Sequence, residues 1–477
     1  MSVDAPTVDT PPEGAGTEVP RCAIARLRLH CFRNYAEATV RFGPGLNVIH
    51  GQNAQGKTNL LEAIATLALT RSPRTTSGGD LLLWSEDAAL AEADVTRPPA
   101  NVTLTVRLQR DASTGRVSRV TAVDGKPRPA RAVLGVCPVV LFWPEDLALV
   151  RGGPDGRRRF LDVILAQTDT QAVAHMSRYR RLLEQRNALL HQLRLGGGAR
   201  DSLNGFTSEL AHHGAWLAVA RTRLVDALAP LAALALHDLS GERERISIRY
   251  APAHAASIPD NIEAAEQSLL ETLRDRAAEE VARGITLAGP HRDDIAFDLD
   301  GRAARGTASQ GQQRSIVLAC KLAEVRYLQD TAGVAPVILL DDVLSELDPE
   351  RRGRLLALLA AENRHQVLVT TTEPLTEVAD FVDVLHFTVR SGVVTEDSRG
   401  CPSSACPTSS IPRCAGWASA SRCARSAYGW RSRTWSVRDL PPCAARSGSI
   451  VVSSSSRPPT ARWHINSRWT LHESSMR

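Results

Sequence analysis

Eight consecutive residues, Gly51, Gln52, Asn53, Ala54, Gln55, Gly56, Lys57 and Thr58, match the pattern G-x-x-x-x-G-K-[ST]. Glycines at its two ends let backbone N–H groups wrap a chain of phosphates, and a helix beginning at Lys57 adds its positive end to the same anion. In this pattern Lys57 reaches the β- and γ-phosphates and the Thr58 hydroxyl ligates Mg²⁺. The chain contains three lysines against 54 arginines. A lysine therefore stands where a compact ammonium, rather than a planar fork, is required.

A second set lies almost 300 residues later, where Val337, Ile338, Leu339 and Leu340 end in Asp341 and Asp342. A buried strand delivering a carboxylate to its tip supports a Mg²⁺ shell, the role expected of Asp341. Asp342 is placed to orient or deprotonate an attacking water. Between the two sets, Ser309, Gln310, Gly311 and Gln312 open an apolar helical pattern through Ile316, Leu318 and Leu322. Ser309 is a plausible N-cap, and a glycine-containing helix start is again an anion site. ABC-type ATPases carry an S-G-G-Q-like signature in this order, where it acts on the γ-phosphate held by a partner subunit. Ser345 to Asp348 then follows as a D-loop-like run, and Thr370, Thr371 and Thr372 lie where a switch residue sits.

Residues 151–200 hold 10 Arg and four acidic side chains. Arg157, Arg158, Arg159, Arg178, Arg180, Arg181 and Arg186 are candidates to neutralise nucleic-acid phosphates, by shape rather than base readout. A solvated helical face is the plainer alternative. Elsewhere charge is uneven. Residues 398–477 carry 12 Arg, two acidic residues, five of nine Cys and five of eight Trp, without periodicity. Residues 1–397 hold 45 basic against 50 acidic side chains, so the mildly acidic body and the basic end differ in kind. Either the end is a DNA-binding disordered tail or, on the favoured reading, a shifted frame; designed disorder seldom uses Trp and Cys so freely. Cys22, Cys31, Cys137 and Cys320 show no metal-ligand spacing. The longest nearly apolar stretch, Leu224 to Leu236, is too short to span a bilayer. Residues 1–21, polar and lacking an apolar core, are expected to be a disordered leader of a cytoplasmic protein.

These groups need elements to position them. Alternation over 23–29 and 38–42, a Gly43-Pro44-Gly45 turn and a short strand at 46–50 lead into the phosphate loop; helical spacing runs from Asn59 to Leu69. A hairpin is expected from 101–108 and 116–123, helices from Arg157 to about Leu239 with a break at Gly196 to Gly198, a strand at 285–299, and a helix at 311–329. Strands at 336–340 and 366–371 flank a helix at 349–362. The expected fold class is α/β: a P-loop ATPase head of the ABC type, assembled from two distant stretches with an inserted helical arm. The expected divisions are 22–150 for the first part of the ATPase lobe, 151–284 for the arm and 285–397 for the second part.

Several further runs share one likeness: Cys31-Phe-Arg-Asn-Tyr35, Phe142-Trp-Pro-Glu-Asp146, Arg157-Arg-Arg-Phe-Leu-Asp162, Gln185-Arg-Asn-Ala-Leu-Leu190 and Gly289-Pro-His-Arg-Asp-Asp294. With the three motifs above, they resemble the bacterial RecF family over residues 22–395, and the Gly289 to Asp294 run separates it from transporter ATPases. The resemblance implies an SMC-type head without the long coiled coil, an ATP-dependent homodimer that binds double-stranded or gapped DNA, and work with RecR and RecO to load RecA. It implies ATP and Mg²⁺ as cofactors, a weak DNA-stimulated ATPase and no membrane partner. An ATPase subunit of a transporter or another SMC-like complex is the alternative; a mediator that binds ATP without turnover is disfavoured by Asp342. The chain departs from the family at Ala54, where glycine is usual, which is tolerable if φ is negative. Nothing beyond about residue 397 matches.

Overall fold

The computed structural model describes residues 19–397, apart from 199–200, 362–363, 376–377 and 379. The expected tail at 398–477, and all but the last three residues of the expected leader, lie outside these.

The first stretch supplies β1 (Ala23–Phe32), β2 (Tyr35–Arg41), β3 (Leu46–His50), α1 (Lys57–Leu69), β4 (Ala88–Arg97), β5 (Ala100–Arg110), β6 (Val117–Val123), β7 (Lys126–Pro127) and β8 (Val139–Phe142). The middle supplies α2 (Ala148–Arg151), α3 (Pro154–Thr168), α4 (Ala172–Arg194), α5 (Ser202–Ser240), β9 (Ile246–Ala251), α6 (Ile262–Asp275) and α7 (Ala277–Arg283). The last stretch supplies β10 (Asp294–Leu299), β11 (Arg302–Ala303), α8 (Ala304–Thr307), α9 (Gln310–Ala332), β12 (Val337–Asp341), α10 (Pro349–Ala361), β13 (Val367–Thr371), β14 (Val384–Arg390) and β15 (Val393–Glu396).

Three sheets form among the described residues. The site is built on the order β15-β14-β3-β13-β12-β8, in which β14, β3, β13, β12 and β8 run parallel. Strands buried on both faces must be apolar throughout, and Val337, Ile338, Leu339 and Leu340 are all fully buried. The sheet thus joins strands from residues 46–142 to strands from 337–396. A second, antiparallel sheet, β2-β1-β4-β5-β6-β7, packs its alternating apolar face (Leu27, Leu29, Ala91, Ala93, Leu104, Val106) with α1 residues in one core.

The middle stretch is not purely helical. β9 pairs antiparallel with β10, Ile246 opposite Leu299, so one sheet crosses the expected boundary at 284/285. The core containing Leu224, Leu228 and Leu236 of α5 also contains Ile316 and Leu318 of α9. The strand expected at 285–299 forms only from Asp294. Ahead of it Gly289 has φ 124°, and side chains instead of a ladder fasten this segment: the Arg221 guanidinium donates to the Pro290 carbonyl at 2.8 Å, and Tyr250 Oη donates to Asp293 Oδ2 at 2.8 Å.

Candidate nucleotide site and the basic surface

β3 ends at His50 and the chain turns into the phosphate loop through Gly51 at φ 150° and Gly56 at φ 116°, conformations open to glycine at little cost. A Cβ on Gly56 would meet Asn34 Nδ2 at 2.5 Å, so the glycine also allows close packing. Ala54 has φ 64°. The condition for tolerating alanine is therefore not met, and its Cβ stands in the left-handed region, a cost of about 1–2 kcal/mol.

Side chains from β1–β2 and the β14–β15 turn brace the loop from behind. Tyr35 Oη donates to the Gly56 carbonyl at 2.9 Å and Asn34 Nδ2 to the Gln55 carbonyl at 2.9 Å. The Ser391 N–H donates to Gln55 Oε1 at 2.6 Å and the Gly392 N–H to the Gln55 carbonyl at 3.1 Å. Sequence reasoning noted Asn34 and Tyr35 only as part of a family run. Their supporting role has no spacing signal, because it depends on a hairpin 20 residues upstream folding over the loop.

Lys57 Nζ donates to the loop's own carbonyls, Gly51 at 2.6 Å and Gln52 at 2.9 Å. Burial lowers its proton affinity, and Asp342 and Asp341 oppose that shift. Thr58 Oγ1 lies 3.0 Å from both carboxylate oxygens of Asp341 across 283 residues of chain. Burial pushes the Asp341 carboxyl above its ordinary range, while hydrogen bonds from Thr370 and Thr58 pull it back. Thr370 Oγ1 donates to Asp341 Oδ1 at 2.7 Å and accepts the Asp342 N–H at 3.0 Å. Thr370 thus positions the two aspartates, a role more specific than the switch position expected for Thr370 to Thr372.

Asp342 has φ 51°, and its Oδ1 is buried without a hydrogen-bond partner. A buried carboxylate oxygen left in this state beside an ammonium and a hydroxyl fits a site completed by a phosphate, a cation and its water. A nucleotide would lie along the N–H groups of residues 51–58 with Lys57 on its phosphates, and a divalent cation would take Thr58 and Asp341.

Ser309 caps α9 in a reciprocal box: its hydroxyl accepts the Gln312 N–H at 3.2 Å, and Gln312 Oε1 accepts the Ser309 N–H at 2.9 Å. Ser309 and Gln310 are exposed. Among the described residues no hydrogen bond links 309–312 to the phosphate loop. Gly311 faces Arg351, whose Nη1 would lie 2.7 Å from an added Cβ.

Lys57 is not the chain's only buried lysine. Lys321 on α9 lies 3.1 Å from Glu324 and 3.8 Å from Asp146, with its ammonium 5.2 Å from the centre of the Phe160 ring. It ties α9 to the Phe142–Asp146 run and to α3.

The candidate arginines divide. Arg157 is buried: Nε and Nη2 hold the two oxygens of Asp294 at 2.6 and 2.9 Å, and Nη1 donates to the Leu149 and Gly152 carbonyls. Arg186 is fully buried and donates to Glu280 at 2.6 Å, Thr286 at 2.8 Å and Thr207 at 3.1 Å. Neither can meet a phosphate, so both assignments to a DNA surface are corrected: Arg157 ties α3 to the start of β10, and Arg186 ties α4 to α5 and α7. Arg158 is engaged by the Asp293 carbonyl and Asp155. Arg159, Arg178, Arg180 and Arg181 are exposed, Arg178 lying 3.4 Å from Glu209.

The RecF/RecN/SMC N-terminal domain family matches residues 23–391. The DNA replication and repair protein RecF of Symbiobacterium thermophilum is 39% identical over 381 residues, covering 79% of this chain and 99% of that protein. The protein of the same name from Geobacter sulfurreducens is 37% identical over 371 residues, 77% and 98% of the two chains. A solved structure of the recombination mediator protein RecF with ATP, in the RecFOR pathway, matches with a TM-score of 0.73 at 27% identity, covering 81% of this chain and all of that one. Among the described residues no helix is long and apolar enough to cross a membrane. The family match over residues 23–391, and relatives named RecF that are 37–39% identical along almost their whole length, place this chain, with its phosphate loop and paired aspartates, in the RecF family of DNA replication and repair proteins, within the SMC-type ATPases.

Proposed function

We propose that the protein is a cytoplasmic ATP-gated DNA clamp of recombinational repair, which closes as a homodimer on duplex or gapped DNA and acts with RecR and RecO in loading RecA. The observation that carries this reading is the split site. Lys57, Thr58, Asp341 and Asp342 converge in one chain, whereas Ser309 and Gln310 stand exposed and unbonded to that loop. A second copy supplying its α9 start to the phosphates would complete the site.

In the proposed mechanism, Lys57 exchanges the Gly51 and Gln52 carbonyls for phosphate oxygens. ATP brings the anion; Thr58 and Asp341 would hold a Mg²⁺ ion, which would supply charge to offset the phosphates. Thr370 fixes both aspartates, leaving the half-buried Asp342 carboxylate to orient the attacking water and accept its proton. Ser309 and Gly311 of the partner close over the γ-phosphate, so ATP stabilises the dimer and hydrolysis releases it. DNA binding accelerates a slow turnover.

The reading is tested by titrating purified protein with blunt and gapped duplexes, with ATP, with ADP and without nucleotide. Tighter duplex binding with ATP than with ADP is expected, together with DNA-stimulated turnover. Equal affinity in all three states would exclude gating.

A further inference from the structure

The geometry points to a phosphate-binding track for duplex DNA that crosses from the β6–β7 hairpin to α4 and has the far end of the phosphate-loop helix as its floor. It deepens the DNA-binding reading above and rests on it.

Two open clefts lie side by side and share Pro129. One, of about 560 Å³, is lined by Thr70, Arg71, Arg119, Thr121 and Arg128; the other, of about 340 Å³, by Arg131, Ser177, Arg178 and Arg181. Arg71, Arg119, Arg128, Arg131 and Arg181 are exposed, and among the described residues none of the five stands in an ion pair. Arg71 in particular sits among like charges. Protein packing and then the charges of Arg159, Arg180 and Arg119 all lower the proton affinity of Arg71, and the carboxylate opposing them is Asp162. Yet Asp162 is already held by Arg221, which donates to it from Nε at 2.9 Å and Nη2 at 2.8 Å. So much like charge, with Asp162 already held by Arg221 and Glu209 paired with Arg178, is stabilised by an anion from outside the chain.

The lining identifies that anion. Neither cleft contains an aromatic side chain, so there is no stacking platform for the bases of a single strand. Guanidinium groups and hydroxyls spread along an open surface suit the regularly spaced phosphates of a duplex.

The position of the track links it to ATP. Thr70, at φ 57°, is the C-cap of α1, and Arg119 donates to its carbonyl at 2.5 Å. α1 begins at Lys57 and is 13 residues long, or about 20 Å. A phosphate drawn to Arg71 and Arg119 competes with the Thr70 carbonyl for the guanidinium and acts on the opposite end of the helix that carries Lys57 and Thr58. The track is thus a route by which DNA adjusts the nucleotide site.

The test is the salt dependence of duplex affinity for the full chain. The Arg128→Gln/Arg181→Gln variant removes one charge from each cleft, at side chains that, among the described residues, stand in no ion pair; the backbone bonds between residue 128 and Thr121 are kept. Its log–log slope is expected to fall by about 1.8, at about 0.9 per phosphate contact. A charge-matched control, Arg41→Gln/Arg274→Gln, removes two exposed arginines outside both clefts and should retain the wild-type slope. Arg71→Gln/Arg119→Gln should in addition lose DNA stimulation of ATP turnover. An unchanged slope in Arg128→Gln/Arg181→Gln, with duplex still bound, would overturn the track while leaving the DNA-binding reading intact. Wild type failing to bind duplex under any nucleotide condition would remove the reading itself. Oligo-dT or phosphatidylserine vesicles competing as well as duplex would overturn the assignment to double-stranded DNA.

Discussion

Arg186→Ala separates structural arginines from ligand-seeking ones. The side chain is fully buried, as is Glu280, and they meet at 2.6 Å. Truncation leaves Thr207 bonded to the Leu203 carbonyl and Thr286 bonded to Asn187, so neither hydroxyl is orphaned. Glu280 Oε1 keeps the Leu287 N–H at 2.7 Å, but Oε2 loses the one cation it meets among the described residues. Breaking a buried pair from one side costs about 3–5 kcal/mol, here about 4, because one carboxylate oxygen stays bonded. Against a typical stability of about 5–15 kcal/mol, the variant is near its margin. Urea unfolding of the purified chain should show a midpoint lower by about 1 M or more, at a slope of about 3 kcal/mol/M. Arg186→Met/Glu280→Gln removes both charges, keeps an acceptor for the Leu287 N–H, and should recover at least half of the loss. A loss below about 1 kcal/mol in the alanine variant, or a double variant worse than the single, would refute the account of a buried pair.

Ala54→Gly relieves about 1–2 kcal/mol of left-handed strain but gives back about 0.5–1 in unfolded-chain freedom, so a net gain of up to about 1.5 kcal/mol is expected in thermal unfolding; a less stable variant would show that residue 54 does not hold φ 64°. Burial raises the Glu324 carboxyl to about 7, despite Lys321. A raised acid favours its protonated form in the folded state, so this contribution is full below its unfolded value and is lost as pH rises through about 7; Glu324→Gln should flatten that decline in stability between pH 5 and 8, and an unaltered profile would contradict it. Lys57→Ala should abolish ATP binding, whereas Asp342→Asn should bind ATP and prolong the dimer, since Asp342 acts on the water; equal loss of affinity in both, by nucleotide titration, would show the roles misassigned.

The local signals in the sequence concerned single elements and their ends. Apolar runs ending in glycine or aspartate located β3, β12 and the loop between β3 and α1, because a strand buried on both faces has no room for polar residues. β4 gave no such signal: its buried positions are Ala89, Ala91, Ala93 and Val95, and alternating alanine with acidic residues reads equally well as helix. The arginines failed for a different reason. A guanidinium seeking phosphate and one seeking a buried carboxylate are the same side chain, and the partners of Arg157 and Arg186 lie 137 and 94 residues further along. Only the packing of β10 on α3 and of α7 on α4 shows which is which. Ala54 shows the same limit, since residue type does not reveal the sign of φ.

The central claim is that Ser309 of one copy completes the site built on Lys57 of another. Sedimentation velocity with ATP on Ser309→Arg, on Lys57→Ala and on their equimolar mixture tests it most directly. Ser309→Arg should bind ATP yet stay monomeric, because a bulky cation blocks the approach of the partner's phosphates to the start of α9. Lys57→Ala should neither bind nor dimerise. The mixture should regain weak ATP-dependent association, because one of its two composite sites pairs an intact Lys57 with an intact Ser309. Normal dimerisation and turnover by Ser309→Arg alone would contradict the claim and leave Ser309 as a helix cap.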